Sequence, residues 1–592
     1  EVAAYCRQLA SGLDALAAKL KAPPPPGKSE APARLAVDLP ALTSAFLDLS
    51  GRLEMLATQM SYFAGLGELK FPRGDTASLQ EAVVAHDVSR WARGEEADDL
   101  SRAKALFDWT IRNIQLERQQ VEIEGKSAVH VMQTPWETLF LGRGTTIERA
   151  WVFVLLARQQ GLEAAILAIE DASAGAGRLR LWAIGVLSEG SIYVFDPHLG
   201  LPLPAPKGVR LDESGQLDIR PATLAQLAAD DSLLRQLDLG TDHPYPVKAS
   251  DLKKVVVRVD ITPWWLSRRM HLVESRLAGD DRMVLFMSPE HSAGRWKACK
   301  GVTEVQPWAV AFDTLFQRTL LGPDMVRWQL GMMAPFMARL ATHAPTPQQT
   351  ADDRSAPMFW EMNPDAAAQQ TRARRSSDDS HDEHVSPTPL KAGRALHLRG
   401  QFLGQPSATG YYQAARLSDR QLAELAEVQG AEQATVFRLA KQYATYWLGL
   451  IAFEQRNYAS ARDYLLTRTL EAASHGPWTA GAKYNLGRVY EAEKQYAKAI
   501  QQYRGNTEAV DSFGNRLRAR WLESLAKPSD LEKTPASGSG KSKDSASETP
   551  DLPGLPDLPA MPAAPDAKKK SEPATKRPEP PVKKADAQAK KP

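Results

Sequence analysis

The sequence Arg143-Gly-Thr-Thr-Ile-Glu-Arg-Ala-Trp-Val-Phe-Val-Leu-Leu-Ala-Arg158 decides the fold, because it predicts a glycine turn followed by a buried helix. Thr145 or Thr146 can cap that helix, since a hydroxyl accepts a hydrogen bond from a free backbone N–H in the first turn. Glu148 lies in the first turn, where a negative charge suits the helix dipole. Residues 150–156 are apolar on almost every side, so we expect the helix to form the centre of a domain.

The residues after this helix predict a sheet for it to pack against. Gly161 is placed to end the helix, and the apolar run 164–169 has the length of a strand. Residues 181–187 and 192–197 are two further apolar runs separated by a glycine turn, which predicts a β-hairpin.

The turn Gly144-Thr-Thr-Ile-Glu-Arg-Ala150 resembles the Gly-x-Cys-x-x-x-Ala turn of the transglutaminase-like (papain-like) superfamily. In that family the turn opens a buried helix with the nucleophilic Cys at its N-terminus, where a thiolate is stabilised. Residues 101–114 are similar to the family's helix before the active site, and residues 134–143 to the approach to the turn. The resemblance covers roughly residues 98–207 and implies a buried helix on an antiparallel sheet.

The resemblance also implies where the family's catalytic residues would stand. The Cys position holds Thr146, the His position falls at about Leu181, and the Asp position is kept as Asp196. A hydroxyl nucleophile needs an adjacent base, and leucine cannot accept a proton. We therefore expect Thr146 to be an N-cap, and Asp196 to end a strand and cap the turn after it. His198 remains an alternative base that could swing toward Thr146.

The composition of the whole chain bears on the number of domains and on whether the protein binds nucleic acid, forms a disulfide or holds a metal. A chain of 592 residues with 43% hydrophobic content and a net charge of +2 is several folded domains with no global signal for nucleic acid. Its two cysteines, Cys6 and Cys299, can form one disulfide or be two free thiols, and we expect free thiols. His381, Asp382 and His384 could hold a metal only weakly without a preformed site, so we expect no metal and no cofactor.

We predict a multi-domain α+β protein in which several regions surround the transglutaminase-like core. Residues 254–260 and 281–287 read as strands on either side of a helix over 263–277, which suggests a small α/β subdomain. Helical patterns also cover 223–237 and 305–343. The predicted regions are a helical region (1–97), the core (98–207), an α/β and helical extension (208–343), a disordered linker (344–392), a helical domain (393–527) and a disordered Lys/Pro-rich tail (528–592).

The helical domain contains an internal repeat at an offset of about 38 residues, judged from Gly449 and Gly487. The repeat resembles the tetratricopeptide (TPR) repeat, in which small residues let two helices approach and aromatic residues fill the space between. A helix from Asp419 to Leu439 can supply a further element, and residues 516–525 a capping helix. The residues that we expect to form the repeat framework, without binding a ligand directly, are Trp447, Tyr458, Tyr490, Tyr496 and Tyr503.

The remaining expectations concern location. The sequence has no apolar run of 18 residues that would span a membrane. It begins at Glu1 rather than Met, which indicates a processed or truncated chain from which a signal peptide could have been removed. We therefore expect an extracytoplasmic (periplasmic or cell-envelope) bacterial protein, with a cytoplasmic location as the alternative. The basic tail could touch an anionic surface weakly.

Two functions follow from these observations. The first is a non-catalytic interaction or scaffold protein, a pseudoenzyme that binds protein or peptide partners through the TPR face and the vestigial groove. The alternative is an active amide hydrolase or acyltransferase that uses Thr146 or a rebuilt site. A base nitrogen within about 3.5 Å of the Thr146 hydroxyl would be required for the second.

Overall fold

The structure is a computed structural model that describes residues 65–71, 73–123, 126–129, 132–171, 178–308, 310, 331–338 and 388–531. Several predictions lie outside these residues: the helical region before residue 65, the linker residues 344–387, the His381 cluster, Cys6 and the tail from 532 onward. The helices of the described part include none that is long and apolar enough to cross a membrane.

The central helix, Thr146–Gln159, forms as its sequence predicts. Its N-cap is Thr145, whose hydroxyl accepts the Glu148 N–H, while the Glu148 carboxylate accepts the Thr145 N–H at 2.7 Å. This reciprocal capping satisfies two N–H groups that the first turn would otherwise leave unpaired. The residues from Glu148 to Gln159 are buried, so the helix is enclosed by protein along most of its length. Gly161 follows the helix with φ +70°, a left-handed conformation that glycine adopts without strain.

The other elements follow in chain order. The helices are α1 (Arg73–Ala92), α2 (Asp99–Asn113), α3 (Pro135–Leu141), α4 (Thr146–Gln159), α5 (Leu224–Ala229), α6 (Asp231–Arg235), α7 (Arg268–Glu274), α8 (Pro289–Lys297), α9 (Pro389–Leu398), α10 (Ala408–Ala414), α11 (Asp419–Gln429), α12 (Ala431–Glu454), α13 (Tyr458–Arg462, continued by a π-helix at Asp463–Glu471), α14 (Thr479–Ala492), α15 (Tyr496–Arg504), α16 (Ser512–Leu525) and α17 (Pro528–Leu531). The strands are β1 (Gln115–Leu116), β2 (Gln120–Ile123), β3 (Lys126–Val129), β4 (Arg143–Gly144), β5 (Glu163–Glu170), β6 (Leu179–Ser188), β7 (Ser191–Asp196), β8 (Leu201–Pro202), β9 (Pro204–Leu211), β10 (Leu217–Pro221), β11 (Val255–Asp260) and β12 (Val302–Trp308).

A six-stranded sheet in the described residues supports one side of α4. Its order is β12-β11-β5-β6-β7-β8, with β11 and β12 parallel and the other neighbours antiparallel. The predicted hairpin is β6 and β7, joined at Glu189 and Gly190, which both have positive φ. Phe153 of α4 packs against Phe107 of α2 and Phe195 of β7, so helix and sheet share one apolar core. The expected buried helix on a largely antiparallel sheet is therefore present.

The extension differs from its prediction. Residues 281–287 form no strand; the second strand is β12, and both β11 and β12 join the sheet of the core instead of building a separate one. The 305–343 stretch therefore begins as strand rather than helix. The backbone N–H groups of residues 284–286 donate hydrogen bonds to side chains. Glu274 accepts those of Leu285 and Phe286, and Gln159 accepts that of Val284.

Three predicted helices are interrupted. The stretch 223–237 is divided into α5 and α6 at Asp230, whose carboxylate caps α6. The stretch 263–277 begins as a 3₁₀ turn, and α7 starts after Ser267. The predicted helix from Asp419 to Leu439 ends at Gly430 (φ +94°), where the longer α12 starts.

The C-terminal helices form two similar helix pairs, and equivalent positions in the two pairs are separated by the predicted number of residues. A Cβ on Gly449 would lie 2.9 Å from Leu465, and one on Gly487 would lie 2.5 Å from Tyr503. The turns match as well, because Arg456 and Lys494 both have φ +57°. The pairs α12–α13 and α14–α15 therefore make the same close approach at an offset of 38 residues.

A partly buried carboxyl links α1 to the start of α3. Glu81 accepts a hydrogen bond of 2.9 Å from the Trp136 N–H. Burial raises the pKa of Glu81 from 4.5 to about 8 against the opposing effect of that N–H. The carboxylates of Asp260 and Glu137 raise the pKa further. Near neutral pH this group is protonated in the folded protein.

Replacing Glu81 by glutamine is expected to raise stability at alkaline pH. The pKa is higher in the folded state, so the stability contribution of Glu81 is complete below about pH 4.5 and is lost as pH rises through about 8. Glutamine keeps an acceptor for the Trp136 N–H and cannot ionise. Urea unfolding at pH 5 and pH 8.5 should show a gain for the variant that is larger at pH 8.5; an equal effect at both values would contradict the assignment.

Candidate functional site

The N-terminus of α4 meets the turn that follows β7, and this brings Thr146 and His198 together. The Thr146 hydroxyl oxygen lies 3.2 Å from Nδ1 of His198, within hydrogen-bonding distance. His198 is exposed and Thr146 is partly buried. Thr145 provides the N-cap, so the expectation that Thr146 caps the helix is wrong. The alternative base named from the sequence lies where a base for Thr146 would have to be.

Asp196 is buried at the end of β7, and both of its carboxylate oxygens are engaged. One oxygen accepts the backbone N–H groups of His198 (2.8 Å) and Leu199 (3.0 Å). The other accepts the hydroxyl of Tyr245 at 2.7 Å. Asp196 therefore ends the strand and closes the following turn, as we predicted. One carboxylate oxygen thus faces the backbone of His198 and the other faces Tyr245, and no hydrogen bond among the described residues joins Asp196 to the imidazole ring.

Tyr245 connects Asp196 to the first strand of the hairpin. Its hydroxyl donates to Asp196 and accepts from the indole N–H of Trp182 at 2.8 Å. Burial raises the pKa of Tyr245 well above its ordinary value, and the Asp196 carboxylate raises it further, so the hydroxyl stays protonated. Burial also raises the pKa of Asp196, opposed by the hydrogen bonds it accepts. Trp182, Tyr245 and Asp196 form a buried chain, and the neighbouring Leu181 is a partly buried hydrocarbon.

Arg149 of α4 donates a hydrogen bond to the turn that follows β7 and carries His198. Its side chain is 1% exposed and donates to the carbonyl oxygens of Ile114 and Pro197, the latter at 3.2 Å. Its guanidinium lies 3.6 Å from the Asp511 carboxylate, just before α16. Burial lowers the pKa of Arg149, and Asp511 opposes that effect. The backbone on which His198 stands is therefore supported by the central helix and by a contact to the C-terminal helices.

A central helix whose N-terminus meets the end of a β-hairpin is the core arrangement implied by the transglutaminase-like resemblance. Residues 86–183 match the family model described as the transglutaminase-like superfamily. The match starts and ends earlier than the 98–207 resemblance, and it stops one residue after Trp182, before Asp196 and His198. No curated protein and no solved structure matches the chain.

The remaining predicted site residues lie in the packed framework. Trp447 is fully buried among aromatic rings, and the Arg394 guanidinium lies 4.5 Å from the centre of its ring. Tyr458 packs against Phe453 and Tyr490 is buried. The hydroxyl of Tyr496 donates to the carbonyl of Gly215, and that of Tyr503 donates to Glu491.

The other candidates bring no further chemistry to the site. Cys299 is a buried free thiol near Arg295, and burial raises its pKa. No cluster of three metal-ligating side chains occurs among the residues that the structure describes. Sequence reasoning missed two residues of this site, Tyr245 and Arg149. Neither belongs to a sequence motif from which its contact with Asp196 or Pro197 could be predicted.

Proposed function

We propose that the chain is a non-catalytic protein-interaction or scaffold protein, built on a degenerate transglutaminase-like domain and TPR-type helix pairs. The observation that carries the proposal is the use of Asp196. An orienting acid must accept a hydrogen bond from the imidazole of its base. Here the carboxylate accepts two backbone N–H groups and the Tyr245 hydroxyl instead. Its contacts support a structural role in the rim of the old groove.

The surface available to a partner is smaller than we expected from the sequence, because the chain's own core covers one face of the helix pairs. The first helices of the pairs, α12 and α14, pack on the chain's own core through Glu454, Asn485 and Arg488. The partner expected on that face would have to displace the core. The exposed rim around His198 and Thr146 remains open, so we place the partner contact there.

A hydroxyl-based hydrolase or acyltransferase is the second candidate, and one observation favours it. Thr146 Oγ1 and His198 Nδ1 are within hydrogen-bonding distance. For the imidazole to act as base, Nδ1 must be free of its proton and Nε2 must carry it. His198 is exposed, and its ring has no hydrogen bond to Asp196 among the described residues. Water therefore competes for both of its nitrogens, which disfavours this candidate.

The experiment that separates the two candidates is an amide-turnover assay with matched variants. We expect the wild-type chain, Thr146→Val and His198→Gln to give the same background rate on fluorogenic peptide amides between pH 6 and 9. Thr146→Val removes the hydroxyl and keeps the side-chain shape. Turnover that disappears in Thr146→Val, returns in Thr146→Ser and follows one ionisation in its pH profile would establish the hydrolase and reject the scaffold.

Partner capture tests the scaffold directly. Bait truncated after Leu531 should retain a partner from native extract, and the substitution His198→Glu should reduce the recovered amount. Arg516→Ala is the matched control, because Arg516 is exposed on α16. Equal recovery with all three baits would remove the rim as the binding surface.

A further inference from the structure

We infer that the first-helix face of the C-terminal helices is a built binding surface for this chain's own transglutaminase-like core, strong enough to hold the two halves together without a covalent connection. The core half is the described part of residues 73–308, and the helical half is residues 388–531. This inference does not depend on the proposed function. The kind of partner that fits the face is a folded domain with charged groups at fixed positions, not an extended peptide.

Neutral hydrogen bonds join the two halves at positions that only a folded partner can supply. Gln115 donates to the carbonyl of Pro477 at 2.9 Å and accepts the Gly481 N–H at 2.8 Å. The side-chain amide of Asn485 donates to the carbonyl of Arg112 at 3.0 Å. Backbone carbonyls and N–H groups are thus paired across the boundary, and separating the halves would break these bonds.

Charged pairs make the face specific. Asp108 in α2 accepts from Arg488 in α14 at 2.5 Å and from Arg112 in its own helix at 2.8 Å. Arg112 also reaches Glu454 at the end of α12. Burial alone would raise the pKa of Asp108, but Arg488 and Arg112 outweigh it and hold the pKa well below its usual range. A different surface presented to Arg488 would remove its hydrogen bond to Asp108 and leave this buried guanidinium with the more distant Glu491 carboxylate, 3.9 Å away in its own helix.

Close packing extends the contact to both ends of the face. At one end, Gly514 of α16 lies against the carbonyl of Leu199, so close that a Cβ would stand 1.8 Å from that oxygen. At the other end, Trp91 of α1 donates to the carbonyl of Leu398 at 2.9 Å and packs edge-on against Phe402. The contact therefore runs along the helical half from α9 to α16.

A further contact places the charged side chain of Arg394, from the helical half, against the core half. Arg394 of α9 is fully buried and donates to two carbonyl groups in the last turn of α3, those of Leu139 and Phe140. A guanidinium suits this place, because a helix C-terminus carries partial negative charge. A side chain of the helical half thus pairs with carbonyl groups at the C-terminus of a helix in the core half.

The test is cleavage of the full chain at one engineered position. A protease recognition sequence replaces residues 360–366, outside the described residues, and a tag marks the C-terminus. After complete cleavage, we expect the two fragments to co-elute in size-exclusion chromatography at the mass of the whole chain, with unchanged far-UV circular dichroism. Separate elution of the fragments, or loss of helical signal on cleavage, would overturn the inference.

Matched variants assign the association to this face. Arg488→Ala removes the partner that the helical half supplies to Asp108 and leaves Arg112, whereas Arg516→Ala alters an exposed arginine on α16. Uncleaved chains of both should stay folded. After cleavage, the Kd between the fragments should rise at least tenfold for Arg488→Ala and stay unchanged for Arg516→Ala. Equal Kd values for the two variants would show that another surface holds the halves together. Neither result bears on amide turnover or partner capture, so this inference and the proposed function can fail separately.

Discussion

Replacing Glu491 by glutamine is expected to lower the free energy of unfolding by about 3–5 kcal/mol, the range for removing one partner from a buried ion pair. Glu491 is fully buried and accepts two hydrogen bonds from the Arg518 guanidinium, at 2.5 and 2.8 Å, and one from the Tyr503 hydroxyl. The amide of glutamine would turn a donor toward Arg518 and leave its charge uncompensated. Urea unfolding followed by circular dichroism at pH 7 measures the loss.

The pH dependence gives an independent check on Glu491. Burial would raise its pKa, but Arg518 outweighs that effect and lowers it below the ordinary value of 4.5. The contribution of Glu491 is therefore present above pH 4.5 and is lost as pH falls through the folded-state pKa. The gap between wild type and Glu491→Gln should narrow in acid.

Glu523→Gln is the matched control for Glu491→Gln. Glu523 pairs with Arg504 at 2.6 Å, and both side chains are about half exposed. Exposed pairs contribute about 0–1 kcal/mol because water and salt screen them. A loss at Glu491 no larger than that at Glu523 would refute the role we assign to the buried pair.

Replacing Gly514 by alanine is expected to destabilise the protein by about 3 kcal/mol, at the upper end of the range for overpacking. The added Cβ would stand 1.8 Å from the carbonyl oxygen of Leu199, and that atom belongs to the backbone. Either α16 or the turn carrying His198 must move. Thermal unfolding gives the stability, and hydrogen exchange at residues 196–200 should report faster opening of the turn.

Gly294→Ala separates the steric effect from the usual preference of a helix for alanine. Gly294 is also helical, and nothing lies within 4 Å of a Cβ placed on it. Alanine there should stabilise by up to about 1 kcal/mol. If Gly514→Ala behaves like Gly294→Ala, the close approach of α16 to Leu199 is absent from the protein in solution.

The sequence was most informative where one segment determines its own structure. The central helix 146–159 could be predicted, because its apolar residues surround it and capping residues mark its start. The hairpin could be predicted from two apolar runs and the glycine between them. The equivalence of Gly449 and Gly487 was also readable, since each glycine packs on the second helix of its own pair.

The errors arose where distant side chains decide the structure. Residues 281–287 have the composition of a strand, but Glu274 and Gln159 accept the N–H groups that a neighbouring strand would need. In contrast, Val302–Trp308 contains the charged Glu304 and also Pro307, yet it pairs with β11. Local propensity could not separate these cases, because the partner groups lie elsewhere in the chain.

The candidate site was partly predictable for the same reason. Thr146, Leu181 and Asp196 follow from a local resemblance, and His198 was named as the alternative base. The hydroxyl of Tyr245 reaches Asp196 across 49 residues, from a segment without a recognisable pattern. The hydrogen bond from Tyr245 to Asp196 therefore could not be predicted from the sequence and is visible only in the structure.

The contact between Asp108 and Arg488 has a consequence for biosynthesis. The two residues are 380 positions apart, so a ribosome adding about 5–20 residues per second makes the second roughly 20–75 s after the first. During that interval the nascent core leaves the Asp108–Arg112 pair and the backbone carbonyl of Arg112 without the contacts that α12 and α14 later make to them. Chaperone occupancy on arrested nascent chains should therefore be high before α14 emerges from the exit tunnel and fall after it.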